Sequence, residues 1–172
     1  MTVPERISWA LSHLGPEPGD RLLEVGCGRG VAIALIAGKL AGGHIVGLDR
    51  SDSAVRAATE RNAAAIASGK VEIVQAALAD YTATAGSFDK IFAINVNLFW
   101  LEAMRELAVS KSLLVPGGRL FLFFEPPSAG QIETIRHAVE VRLKAAGYVV
   151  DEVVAGPTPS PPLLGIVARP AG

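Results

Sequence analysis

The sequence is poor in the residues that build disulfides and thiolate metal sites. Cys27 is the only cysteine among 172 residues. A lone cysteine excludes an intramolecular disulfide, and it excludes a zinc site built from several cysteines. Long apolar runs are also missing, because stretches such as residues 120–124 are far too short to cross a bilayer. We therefore expect no metal held by cysteines and no membrane partner.

The chain also lacks a large excess of positive or negative charge. The chain has 16 Lys and Arg residues against 17 Asp and Glu residues, and the basic ones are scattered from Arg6 to Arg169. A general nucleic-acid binder needs a basic cluster, so we expect no nucleic-acid partner. The first fourteen residues are interrupted by Pro4, Glu5 and His13, which is untypical of a signal peptide. These features predict a cytoplasmic protein.

Apolar and Ala-rich segments alternate along the chain. Hydrophobic residues make up 50% of it, enough for the core of one domain spanning residues 1–172. The patterns predict strands at 21–25, 44–49, 71–75, 88–95, 119–124, 148–154 and 163–168. They predict helices at 30–40, 51–67, 98–113 and 131–146. In the third of these helices, Leu101, Met104 and Ala108 are expected to share the buried stripe.

Alternating strands and helices predict a doubly wound α/β sheet with helices on both faces. The fourth and fifth strands are the most apolar, so we place them centrally. The third carries Glu72 and the sixth carries Asp151, which favours edge positions. Only a short Pro-rich loop at 156–162 joins the last two strands, so they should pair antiparallel.

A glycine-rich loop follows the first predicted strand and opens a helix. Gly26, Gly28 and Gly30 let the backbone approach a ligand, and the helix N-terminus offers free N–H groups. Asp49 ends the second strand, 19 residues after Gly30. An acid at that place can accept hydrogen bonds from the ribose hydroxyls of an adenosine ligand. The loop and the acid together predict an adenosine cofactor.

The loop spacing argues against a dinucleotide. The dinucleotide pattern requires its third glycine where this chain has Val31. Glu24 would also repel a pyrophosphate, whereas its charge would attract a cationic amino group or a sulfonium.

Four motifs in this order resemble the class I S-adenosylmethionine-dependent methyltransferases, of the small-molecule, single-domain Rossmann-like type. They are LLEVGCGRG at 22–30, VGLDRS at 46–51, FDKIFAINV at 88–96 and LLVPGGRLFLF at 113–123. The resemblance runs over about residues 5–168 and implies a seven-stranded sheet of order 3-2-1-4-5-7-6 with strand 7 antiparallel. This order agrees with the edge and antiparallel predictions made from the residues.

The resemblance also implies which residues hold S-adenosylmethionine, whose product is S-adenosylhomocysteine, without a metal. Glu24 would orient the amino end, and Asp49 would hold the ribose. The other implied contacts are Gly26, Cys27, Gly28 and Gly30 at the methionine part, Arg50 and Ser51 beside the adenine, Ala77 and Leu78 after the third strand, and Asn95 and Val96 at the end of the fourth. The family often has an acid where this chain has Ala77, so the Leu78 backbone or Asp80 would take that contact instead.

Methyl transfer from a sulfonium is an in-line displacement, and a base helps only when the acceptor must lose a proton. Glu125 at the end of the fifth strand and His13 are the candidate bases, the latter if a helical segment at 1–19 folds over the cofactor site. The candidate acceptor contacts are Trp9, Asn97, Phe99 and Trp100. The aromatic residues predict a small acceptor with an apolar part.

Other functions stay open at this point. A catalytically inactive S-adenosylmethionine-binding partner protein would explain the scarcity of base candidates. A nicotinamide oxidoreductase is disfavoured by Val31 and Glu24, and an aminopropyl transferase by the lack of acids after the fourth strand. Without an inserted lid, a homodimer could supply a missing wall of the acceptor site.

Overall fold

A computed structural model describes residues 2–156 and 162–172 of the chain. Most of the predicted Pro-rich loop, residues 157–161, lies outside the described residues.

The predicted strands all form, and they make one seven-stranded sheet. They are β1 (Arg21–Val25), β2 (His44–Asp49), β3 (Val71–Gln75), β4 (Phe88–Ile94), β5 (Leu114–Phe124), β6 (Tyr148–Ala155) and β7 (Leu164–Pro170). The order is β3-β2-β1-β4-β5-β7-β6, and β7 runs antiparallel to both β5 and β6. The predicted fold class, sheet order and strand direction are therefore confirmed. Strand β5 begins earlier than predicted, because Leu114 already pairs with Phe88 of β4, ahead of a register shift after which Arg119 pairs with Lys90.

Two predicted helices are each divided in the structure. The helices are α1 (Glu5–Leu14), α2 (Val31–Ala37), α3 (Asp52–Arg61), α4 (Ala63–Ala67), α5 (Leu98–Leu101), α6 (Met104–Leu113) and α7 (Ile132–Ala145). The predicted stripe in residues 98–113 is wrong, since Leu101 is 54% and Met104 46% exposed. The break before α6 changes the helical phase, so Leu107 and Leu113 face the core instead.

Helices cover both faces of the sheet, as predicted. Helices α1, α2 and α3 pack on one face, where Ile33, Ile36 and Phe92 are fully buried. Helices α5, α6 and α7 pack on the other face, around Phe99 and Leu107. Strands β1 and β2 and the carboxyl halves of β4 and β5 are thus buried on both sides, which explains their largely apolar sequence, whereas the edge strand β3 keeps Glu72 and Gln75 exposed.

This topology brings the carboxyl ends of five parallel strands to one edge of the sheet. The chain places β2 and β3 on one side of β1 and then β4 and β5 on the other side. The strand order therefore reverses between β1 and β4. A crevice opens outside the strand ends at such a switch point, and ligands of open α/β sheets bind there. The glycine loop, Asp49 and the residues after β4 all follow strands that end at this edge.

Candidate functional site

The three glycines of the loop differ in the space around their α-carbons. Gly26, Gly28 and Gly30 all have positive φ angles, of 70°, 52° and 70°. A Cβ added at Gly26 would lie 2.7 Å from a methyl carbon of Val96, and one at Gly30 would lie 2.5 Å from the Asn62 amide nitrogen. A Cβ added at Gly28 would meet no protein atom within 4 Å. Gly26 and Gly30 therefore allow close packing of the protein, whereas Gly28 faces free space that a ligand can fill.

Asp49 ties this loop to the end of β2. Its Oδ2 accepts a hydrogen bond from the backbone N–H of Gly28, and its Oδ1 accepts one from the backbone N–H of Ser51, both at 2.9 Å. A carboxylate has about four acceptor positions, so both oxygens can still accept a ligand hydroxyl. The carboxylate is thus oriented before any ligand arrives.

Glu24 presents a buried carboxylate next to the loop. Its residue is only 4% exposed, and its Oε2 has no hydrogen-bond partner among the described residues. Burial, and secondarily the charge of Asp49, raise the pKa of Glu24 well above its usual value. A buried acid without a partner is costly for the free protein. A cationic ligand group would offset that cost, so the site fits the amino group of S-adenosylmethionine.

The crevice itself has a volume of about 210 Å³. It begins at the end of β1, passes Asp49 and ends between β3 and α6. Its lining residues are Val25, Gly26, Leu48, Asp49, Arg50, Ala76, Ala77, Leu78, Val96, Leu98 and Glu106. We call this crevice the cofactor cleft.

Several predicted cofactor residues surround the cofactor cleft without lining it. The Ser51 hydroxyl accepts a hydrogen bond from the Ala54 N–H at 3.4 Å, so it caps α3. Asp80, the predicted substitute for an acid at position 77, forms an exposed ion pair with Arg105 at 3.3 Å instead.

Cys27 lies in the loop, but its side chain points into the core. The residue is 5% exposed and packs with the α1–α3 face of the sheet. Burial, followed by the charges of Glu24 and Asp49, raises the pKa of Cys27 to about 12. The thiol is therefore neither a nucleophile nor a ligand contact, and only the Cys27 backbone can face the cleft.

Asn95 has the only positive φ angle of a non-glycine residue in the described part of the chain, at 58°. Its N–H donates to the Phe123 carbonyl at 2.7 Å, and its side-chain Oδ1 accepts from the Glu125 N–H at 3.2 Å. Left-handed backbone is unfavourable for most residues other than glycine, and it concentrates at functional sites. In this protein the two hydrogen bonds of Asn95 join the end of β4 to the end of β5.

Glu125 lies at the same edge of the sheet, next to Asn95. Its carboxylate forms an ion pair with Arg6 at 3.5 Å, and the side chain is 30% exposed. Its place beyond β5 leaves it reachable from solvent. The structure thus brings one of the two base candidates to the carboxyl edge.

His13 does not lie at this edge, and its prediction as a catalytic residue is wrong. It lines a groove with Asp89 and Arg119, at the amino-terminal ends of β4 and of the regular part of β5. Helix α1 runs down the sheet face because its apolar residues Ala10 and Leu14 pack there. Only the first turn of the predicted 1–19 segment, with Arg6, reaches the carboxyl edge.

Two of the aromatic residues predicted to contact the acceptor belong to the packing of the fold. Phe99 is 1% exposed inside the core, so its predicted role is wrong. Trp9 packs edge-on against the ring of Phe123, with centroids 5.7 Å apart, on the sheet face rather than in the cleft. Trp100 is partly exposed, and its indole N–H donates to the Asn97 Oδ1 at 3.4 Å. Asn97 and Trp100 therefore remain the predicted acceptor contacts.

Glu106 was missed by the sequence analysis. It lies in the first turn of α6 and lines the cofactor cleft together with Ala77 and Leu78. A continuous helix over 98–113 predicts a different orientation for residue 106. The break before α6 changes which residues of this helix face the cleft. Neither a group of three potential metal ligands nor a helix able to cross a membrane occurs in residues 2–156 and 162–172.

A family model described as "Methyltransferase domain" matches residues 22–118, more than half of the chain. An uncharacterized methyltransferase of Bacillus subtilis is 24% identical over 81% of this chain and 77% of its own. The nocamycin O-methyltransferase of Saccharothrix syringae is 36% identical over 69% of this chain, and the match spans 43% of that enzyme. A ribosomal protein L11 methyltransferase of Shouchella clausii is 31% identical over 78% of this chain and 39% of its own length. The chain thus spans less than half of the length of the last two relatives.

Solved structures share the fold at low sequence identity. A geranyl diphosphate methyltransferase, solved with that substrate and sinefungin, superposes with a TM-score of 0.78 at 17% identity, over 95% of this chain and 77% of that one. A SAM-dependent methyltransferase from Aquifex aeolicus superposes with a TM-score of 0.77 at 20% identity, over 94% of this chain and 88% of that one. At these identities the likeness concerns the fold alone.

Proposed function

The chain belongs to the class I S-adenosylmethionine-dependent methyltransferases, and we propose that it transfers the cofactor's methyl group to a small-molecule acceptor. The observation that carries the cofactor part is the buried, unpartnered Glu24 carboxylate near the end of β1, together with the open space at Gly28 in the loop that follows. A cationic amino group held there would place the rest of the cofactor along the cleft toward Asp49.

In this proposal, different residues bind the two ends of the cofactor. Glu24 neutralises the amino group, and the backbone around Gly28 makes room for the chain of the amino acid. Asp49 accepts hydrogen bonds from the ribose. When bound, the cofactor supplies an electrophilic methyl group on a good leaving group, so the protein mainly aligns the reactants and excludes water.

The acceptor would bind beyond β4 and β5. Trp100 offers an apolar surface there, Asn97 offers a polar one, and Glu125 offers a carboxylate that can take a proton from a hydroxyl or amine. The names of the relatives point to different acceptors, since one is named for nocamycin and another for a ribosomal protein. Balanced charge and the lack of a basic cluster support a small molecule over a nucleic acid. A cytoplasmic location, the absence of a metal and a possible homodimer stay predictions.

The experiment is a screen for S-adenosylhomocysteine formation with small phenols, carboxylic acids and amines, beside isolated ribosomal protein. We expect turnover with at least one small acceptor. Glu125→Gln should then lower kcat by about a hundredfold for an acceptor that loses a proton. Glu133→Gln, on the exposed side of α7, is the matched control and should leave kcat unchanged. Turnover with the protein substrate alone would contradict the small-molecule acceptor. Cofactor binding without any turnover would favour the inactive partner protein.

A further inference from the structure

The two ends of the cofactor cleft differ in chemistry. The end near β1 is lined by Val25 and Gly26, which adjoin Glu24 and the rest of the glycine loop in the chain, and these residues suit the charged part of the cofactor. Beyond Asp49 and Arg50 the walls are apolar, formed by Ala76, Ala77, Leu78 and Leu98. A flat aromatic ring is stabilised between such side chains, so the adenine belongs at this end. This assignment rests on the proposed S-adenosylmethionine cofactor.

Adenine carries an exocyclic amino group, which must donate hydrogen bonds when it leaves water. An unpartnered buried donor is destabilising, so a specific site places an acceptor within hydrogen-bond distance of it. Neither Ala77 nor Leu78 has a polar side chain, and Asp80 is engaged with Arg105 outside the cleft. The acceptor must therefore come from another element or from the backbone.

Glu106 is the acidic side chain at this end of the cofactor cleft. Helix α6 packs against the short turn at Leu78–Asp80, and an exposed Arg105–Asp80 ion pair connects the same two elements. This packing brings Glu106 into the lining of the same cleft as Ala77 and Leu78. Glu106 is partly buried, and its carboxylate makes no hydrogen bond or ion pair with any residue from 2–156 or 162–172.

We propose that Glu106 accepts a hydrogen bond from the exocyclic amino group of the adenine. A carboxylate accepts hydrogen bonds and donates none, so it favours the amino group over a keto oxygen at the same ring position. Glu106 thereby selects adenine over hypoxanthine. In this chain the acid that contacts the adenine would come from α6, after β4. The resemblance implies an acid after β3, where this chain has Ala77.

The test compares two ligands, S-adenosylhomocysteine and S-inosylhomocysteine, which differ in the amino or keto group at purine position 6 and in the proton that the keto form carries on N1. Dissociation constants are measured by calorimetry, so no methyl acceptor is needed. The wild-type protein should bind the adenosine ligand at least about tenfold more tightly, because the keto oxygen would face the carboxylate. Glu106→Gln has an amide that can donate to the keto oxygen, so the preference should fall to about twofold or less.

Glu102→Gln is the matched control. Glu102 is an exposed glutamate just after α5 that does not line the cleft, and its variant should keep the wild-type preference. A wild-type protein that binds both ligands equally, or a Glu106→Gln variant that keeps the full preference, would overturn the role of Glu106. A wild-type protein that binds neither ligand would instead overturn the proposed cofactor, and the role of Glu106 with it.

Discussion

The Asp49 carboxylate accepts the backbone N–H of Gly28 at 2.9 Å, which joins the end of β2 to the middle of the glycine loop. These two residues are distant in sequence but lie side by side at the carboxyl edge of the sheet. The contact fixes both the loop and the acid in the free protein. A ligand that uses them pays little ordering cost, which is the usual advantage of a preformed site.

Replacing Asp49 by alanine tests this arrangement. The Asp49→Ala variant loses the ribose acceptors and the support of the loop, so binding of S-adenosylhomocysteine should weaken by about 1–3 kcal/mol. Calorimetric titration measures this directly. Asp52→Ala is the control, because Asp52 forms only an exposed ion pair with Arg56. An unchanged dissociation constant for Asp49→Ala would remove Asp49 from the site.

The glycine loop allows a contrast between two alanine variants. Gly28→Ala fills ligand space without touching the protein, whereas Gly30→Ala places its Cβ 2.5 Å from Asn62 and 3.0 Å from Ala58. Both positions have positive φ, so each variant carries about 1 kcal/mol of backbone cost. Gly28→Ala should therefore abolish ligand binding with a small loss of melting temperature. Gly30→Ala should lower the melting temperature more. Equal losses in melting temperature would contradict the assignment of open space to Gly28.

Glu24 should make the stability of the free protein depend on pH. Burial raises its pKa in the folded chain, whereas the unfolded chain has an ordinary glutamate with a pKa of about 4.3. Between these two values the folded state binds more protons, so the free energy of unfolding falls as the pH rises from about 4. Glu24→Gln does not titrate, and it should be more stable than the wild type at pH 7 but not at pH 4. Urea unfolding at both pH values measures the difference in free energy of unfolding between the two proteins. The same difference at pH 4 and pH 7 would contradict a buried acid.

The same variant should lose affinity for the cofactor. A cationic amino group gains a charge-assisted contact from Glu24 that glutamine cannot give, so binding of S-adenosylhomocysteine at pH 7 should weaken about tenfold or more. Glu24→Gln would then be the more stable and the less functional protein. A variant that is more stable and still binds as tightly as the wild type would show that Glu24 does not contact the amino group.

Cys27 should react slowly in the folded protein. Its pKa of about 12 leaves a thiolate fraction at pH 8 about a thousandfold below that of an ordinary thiol. Native protein mixed with a thiol reagent should therefore react far more slowly than protein unfolded in urea. Rapid reaction of the native thiol would mean that the loop opens and exposes the side chain.

Periodicity and motif order were sufficient for the sheet. Continuous apolar strands, charged edge strands and the short connection before β7 each have a direct physical reason, and the structure confirms all three. The glycine loop and Asp49 come together because both follow parallel strands. What depends only on chain order and strand polarity was therefore predictable from the sequence.

Side-chain placement beyond the strands was less predictable. Helix α1 could have lain over the cleft or along the sheet, and the packing of Leu14 against the sheet decides for the latter, which takes His13 to the opposite edge. Phe99 is apolar enough for either a pocket or the core. Glu106 depends on a helix break at Glu102–Ala103 that no proline or glycine marks. These positions follow from tertiary packing, which overrides local pattern.

The most direct measurement is calorimetric titration of the purified protein with S-adenosylmethionine, S-adenosylhomocysteine and NAD. The proposed cofactor site predicts micromolar binding of the first two and none of NAD, because Glu24 attracts a cationic amino group and repels a pyrophosphate. Binding of NAD alone, or of none of the three, would contradict it.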